Sequence, residues 1–114
     1  MMTDYIQITP AGGTVTIRAN GAVIGETTQA LELREGGHGP VIYVPRADMA
    51  MALLDASSRT STCPHKGTAS YYSIVTPEGT LTDAVWSYET PIAGAAAIAG
   101  HLAFYTDRVT VERR

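Results

Sequence analysis

Apolar and polar residues alternate with a period of two along most of the chain, and that spacing predicts strands. Tyr5-Ile6-Gln7-Ile8-Thr9 reads as a first strand, and Ala11-Gly12-Gly13 as a turn. Thr14 to Arg18 alternates again and reads as a second strand. Asn20-Gly21 then predicts a tight hairpin, because both residues tolerate positive φ. Ala22 to Thr28 is the returning partner, and Leu31-Glu32-Leu33-Arg34-Glu35 repeats the alternation. Gly36-Gly37-His38-Gly39-Pro40 breaks the chain before a short apolar strand, Val41 to Val44. Ser70 to Thr76 and Thr80 to Ser87 read as two strands joined by Pro77-Glu78-Gly79. Leu102 to Val111 resumes strand character around a turn or bulge at Asp107-Arg108.

Helical spacing is confined to one place. Pro45 to Ala56 carries Met49, Leu53 and Ala56 at i, i+4, i+7, with Pro45 suited to a helix start and Asp48 in its first turn. Ala93 to Ala99 could form a short helix, although Gly94 and Gly100 limit it. Ser57 to Thr62 reads as a polar loop. The expected fold class is mainly β: one domain of antiparallel sheets with one or two short helices.

Composition narrows the function. The chain has 114 residues, the length of one domain, and 45% of them are hydrophobic. A net charge of −3 without a basic run argues against a nucleic-acid partner. No run of about 18 apolar residues is present, so no membrane-spanning helix is expected. The N-terminal residues lack the pattern of a signal peptide, and a single cysteine cannot form an internal disulfide. Together these point to the cytoplasm. Seven of the eight basic residues are Arg, and the one Lys, Lys66, stands three positions from the one Cys, Cys63. A lysine retained among arginines suggests a position that a guanidinium would not serve.

Chemistry concentrates at Thr62-Cys63-Pro64-His65-Lys66-Gly67. Pro64 pre-sets a turn and Gly67 can take positive φ after it, so Cys63 and Lys66 are expected to flank one tight turn. An ammonium beside a thiol favours the thiolate, the nucleophilic form. Cys63 and Lys66 are therefore the candidate catalytic pair, against the alternative of a buried thiol packing as a small hydrophobe. His65 is either a base for Cys63 or an exposed turn residue. His38 sits in a glycine-rich loop without the ending of a phosphate-binding loop, which reads as a hairpin or bulge. One Cys and three His without ligand spacing give no metal site, and no cofactor is implied. The dispersed acids Glu35, Asp48, Asp83 and Glu89 lack the convergence a two-metal enzyme requires. Tyr43, Tyr71, Tyr72, Trp86, Tyr88, Phe104 and Tyr105 all fall in or beside predicted strands. Trp86 and Tyr88 share a sheet face, whereas Tyr71 and Tyr72 point opposite ways. Such residues build either a ligand pocket or a small β core.

Leu33-Arg34-Glu35-Gly36-Gly37-His38, Tyr43-Val44-Pro45-Arg46-Ala47-Asp48, Cys63 to Tyr71, Ala84 to Pro91 and Leu102-Ala103-Phe104-Tyr105 occur in one order. This arrangement resembles the bacterial and fungal family called domain of unknown function 427, also labelled a nucleotidyltransferase family. The likeness runs from about Glu26 to Val109, and its most specific piece is the Cys-Pro-x-Lys-Gly-x-Ala-x-Tyr run from Cys63 to Tyr71. His65 departs from the pattern, since an aromatic residue is usual there. The resemblance implies a β-rich domain related to β-tent folds, in which two sheets meet over a pocket. It also implies that Cys63, Lys66, Tyr71, Trp86 and Tyr88 approach one another, with Glu35, Tyr43 and Asp48 lining the same region. These residues do not support the nucleotidyltransferase label.

Three roles follow as expectations. The first is a binding module holding a small molecule in an aromatic pocket, with Lys66 meeting an anionic or carbonyl group. The second is a small enzyme with Cys63 as nucleophile or redox centre, and Tyr71 or His65 moving protons. The third is a structural or interaction domain. An open edge strand would also allow a homodimer.

Overall fold

The computed structural model describes residues 5–114. Ten strands account for most of them: β1 (Ile6–Pro10), β2 (Val15–Ala19), β3 (Ala22–Thr27), β4 (Leu31–Glu35), β5 (Val41–Tyr43), β6 (Leu54–Cys63), β7 (Gly67–Thr76), β8 (Gly79–Ser87), β9 (Leu102–Phe104) and β10 (Thr110–Arg113). They form three antiparallel sheets ordered β1-β4-β5, β10-β2-β3 and β6-β7-β8-β9. The fold is mainly β, as the alternation predicts. Asn20 and Gly21 take φ of 48° and 82° between β2 and β3, the conformation a two-residue hairpin requires.

The four-stranded sheet is apolar on both faces. Tyr72, Val85 and Phe104 are cross-strand neighbours and face the β10-β2-β3 sheet, where Val15, Ile17 and Ile24 complete one core. Tyr71, Trp86 and Ala103 are the adjacent row and face β1-β4-β5, where Leu33 and Tyr43 complete a second core. Tyr71 and Tyr72 therefore serve opposite faces, as period-two spacing requires. Val44 and Leu102 exchange two backbone hydrogen bonds of 2.8 Å, which join β5 to β9 at a seam between these two sheets.

The helix expected over Pro45 to Ala56 does not form. Two single 3-10 turns, Arg46–Asp48 and Met51–Leu53, are followed directly by β6. Tertiary backbone pairing outcompetes the helix: the Ala50 amide donates to the Ile24 carbonyl at 2.8 Å, and Met49 bridges to Gly25. Gly25 has no Cβ because one would lie 2.2 Å from the Met49 sulfur. A helix this short has little intrinsic stability to set against those bonds. The loop expected over Ser57 to Thr62 lies within β6, an edge strand of its sheet. Its polarity reflects solvent on both faces along much of its length, and a register shift between Ala56 and Thr60 leaves Ser57 to Arg59 out of the ladder. Ala93–Ile98 forms 3-10 turns kinked at Ala95, with Ala95 and Ile98 buried in the second core. No helix among the described residues is long and apolar enough to cross a membrane.

Candidate functional site

The second core is not closed. Between β4–β5 and β7–β8–β9 it opens into a cavity of about 290 Å³, bordered by Leu33, Glu35, Val41, Tyr43, Lys66, Tyr71, Trp86, Tyr88 and Tyr105, with His38 and Gly39 also in its lining. This volume lies just below the usual range for ligand pockets, about 300–1,000 Å³, and suits a compact guest.

Glu35 reaches the cavity through strand periodicity. Leu31 and Leu33 point to the core from β4, and Glu35 is the next residue in that row. Lys66 reaches it through the β6–β7 turn. The Lys66 amide donates to the Cys63 carbonyl at 3.2 Å, which closes Cys63-Pro64-His65-Lys66 into the expected tight turn. Gly67 follows at φ 116°, a conformation that side chains disfavour. The Lys66 carbonyl then accepts from the Ile92 amide at 2.9 Å, which pins the turn to the segment after β8.

Lys66 and Glu35 form a salt bridge with 12% and 15% of their side chains exposed. Burial opposes charge on Lys66, but the hydrogen bonds to Glu35 and Cys63 outweigh it and hold the ammonium above its ordinary pKa. Its nitrogen also stands 5.9 Å from the centre of the Tyr88 ring. Burial pushes the Tyr88 hydroxyl up to about 12, against the opposing pull of Lys66, so it is a protonated donor at neutral pH.

The aromatic wall is largely self-satisfied. The Trp86 indole N–H donates to the Tyr43 hydroxyl at 3.2 Å, with the two rings edge to face and 6.5 Å apart. Burial raises the Tyr43 hydroxyl pKa despite that bond. Tyr71 and Tyr105 stack at 6.4 Å and share a hydroxyl contact of 3.4 Å, while Ser61 meets the Tyr71 hydroxyl at 2.8 Å. The contact with Tyr71, together with burial, raises the Tyr105 hydroxyl pKa. Trp86 and Tyr105 lie 4.8 Å apart, and the Arg59 guanidinium covers Tyr71 at 4.4 Å.

Six of the residues anticipated from the sequence thus meet in one cavity: Glu35, Tyr43, Lys66, Tyr71, Trp86 and Tyr88. Cys63 does not border it. The thiol packs against the second core, 4.0 Å from a Glu35 carboxylate oxygen. Asp48 is placed elsewhere. It accepts a 2.7 Å hydrogen bond from Thr27 and borders a separate polar cavity of about 440 Å³ with Glu26 and Arg114. The bridge between Gly25 and Met49 draws the Asp48 turn onto β3, away from the aromatic cavity. His65 is exposed and packs on the Tyr5 ring at 4.4 Å.

Five lining residues lie outside the expected site set: Leu33, His38, Gly39, Val41 and Tyr105. Tyr105 follows Ala103 by two positions and so continues the Trp86 row, a spacing visible in the sequence. His38 is brought in by the turn after β4, where its amide donates to the Glu35 carbonyl at 2.9 Å.

The sequence profile of the domain of unknown function DUF427 matches residues 7–114. The chain belongs to that family. No curated protein matches the chain. Within this DUF427 domain the turn from Cys63 to Gly67 and the strand from Ala69 to Tyr71 supply the cation and one wall of the cavity. Glu35 is the one carboxylate among the described lining residues, so the cavity offers a single acid–base pair in an aromatic surround.

Proposed function

We propose that this DUF427 domain binds a compact small molecule in the cavity between β4–β5 and β7–β8–β9. The observation that carries this reading is the Lys66–Glu35 pair, nearly buried and opening onto an aromatic cavity. A buried ion pair is a poor source of stability, because desolvation offsets its attraction and apolar residues of equal volume do as well or better. A pair retained at the wall of an open, aromatic cavity is explained by a guest that uses its polar atoms. The β-tent likeness belongs to the same reading, since two sheets meeting over a pocket is the arrangement such a guest requires. A cytoplasmic setting is supported by the lone cysteine.

The position of Cys63 favours binding over nucleophilic catalysis. Its sulfur packs against the second core beside Glu35 and is absent from the cavity lining, whereas the ammonium and the carboxylate border it. A fragment library screened by thermal shift tests the proposal, because a ligand of the folded state raises Tm. Hits in the wild type should persist in Cys63→Ala and disappear in Trp86→Ala. Hits that require Cys63 would support the nucleophile reading instead. A library without hits would leave a structural role.

A further inference from the structure

The geometry points to a ligand class for this cavity: a neutral, flat molecule carrying a carboxamide or lactam edge, in which a carbonyl stands beside an N–H. The inference rests on the proposed binding role and concerns what the cavity selects. Its two charged side chains cancel, since Lys66 is bonded to Glu35. The lining hydroxyls of Tyr43, Tyr88 and Tyr105 are all raised above their ordinary pKa and carry no charge at neutral pH. A guest carrying a net charge would add an unbalanced charge to a partly desolvated site, which disfavours it.

The polar atoms left over define the edge. An ammonium has three donors. One is held by Glu35, which leaves donor capacity for a guest carbonyl. The Glu35 carboxylate has about four acceptor positions. Oε1 meets Lys66, and Oε2 has only the weak thiol contact at 4.0 Å, so acceptor capacity remains for a guest N–H. Donor and acceptor therefore stand side by side on one bonded pair. The Trp86 N–H and the Tyr71 hydroxyl are already engaged within the wall, so these residues offer ring faces and not hydrogen bonds. A flat apolar body with one amide edge matches that inventory, with the protonated Tyr88 hydroxyl as a further donor in the lining.

Benzamide, benzoate and benzamidinium share one shape and differ at this edge: donor plus acceptor, acceptor only and anionic, donor only and cationic. Each is titrated into the wild type while the indole N–H resonance of Trp86, the one tryptophan, is followed by NMR. Benzamide should bind about tenfold more tightly than either charged analogue. Glu35→Gln leaves Lys66 without its carboxylate and should turn the preference to benzoate. If that variant does not fold, Lys66→Met should turn it to benzamidinium. A wild type that prefers benzoate or benzamidinium would overturn the amide class while leaving the pocket reading intact. Absence of any indole shift with all three at millimolar concentration would overturn both.

Discussion

Replacing Lys66 with methionine keeps most of the side-chain volume and leaves the Glu35 carboxylate nearly buried without its cation. The cost is bounded on both sides. Exposed pairs contribute about 0.2–1 kcal/mol, and removing one partner of a fully buried pair costs about 3–5 kcal/mol. With side-chain exposures of 12% and 15%, Lys66–Glu35 lies toward the buried end, and residual solvent trims the upper figure. Lys66→Met should therefore cost about 2–3 kcal/mol. At about 4 °C per kcal/mol for a domain of this size, Tm should fall by about 10 °C. Glu35→Gln should also destabilise, because it strands the ammonium. The double variant Glu35→Gln/Lys66→Met buries neither charge alone and should be at least as stable as Lys66→Met. Urea unfolding followed by Trp86 fluorescence in the four proteins yields the coupling energy, expected above about 1 kcal/mol. Additive single effects, within about 0.5 kcal/mol, would refute the placement of these two groups as a coupled pair.

The raised Lys66 pKa fixes a second outcome. Its contribution to stability is fully present below the unfolded value near 10.5 and is lost as pH rises through the higher folded value, so the wild-type urea midpoint should fall above that point more steeply than that of Lys66→Met. Gly25→Ala puts a Cβ against the Met49 sulfur and should cost about 1–3 kcal/mol, with Gly25→Ala/Met49→Ala partly restoring the loss in the same urea assay. Ile74→Ala, at a fully buried position between the four-stranded and β10-β2-β3 sheets, should cost about 2–5 kcal/mol in chemical denaturation. Asp48→Asn should leave every fragment hit of the aromatic cavity intact in thermal shift, since Asp48 borders a different cavity.

Local physics carried much of this structure in readable form. Asn20-Gly21 and the Cys63 to Gly67 turn were legible because positive φ and a proline-set turn leave few alternatives. Trp86 and Tyr88 both reach the cavity at two-residue spacing, with Tyr88 just beyond the end of β8. The errors came where tertiary pairing overrode local spacing. Met49, Leu53 and Ala56 fit a helical pattern, but Met49 belongs to a bridge with Gly25 and Ala56 pairs with Tyr72 in β6. The serines and threonines of β6 read as a loop because an exposed edge strand need not alternate. Asp48 followed the same error, since its location depends on that turn. The partnership of Glu35 with Lys66 spans 31 residues and becomes visible only when β4 is set opposite the β6–β7 turn.

The most direct test of a ligand site at the Lys66–Glu35 pair is a crystal structure of the wild type soaked with benzamide. The account predicts density in the cavity bordered by Tyr88 and Trp86, with the carboxamide edge on Lys66 and Glu35. Density at the polar cavity of Asp48, or an aromatic cavity holding only solvent, would contradict it.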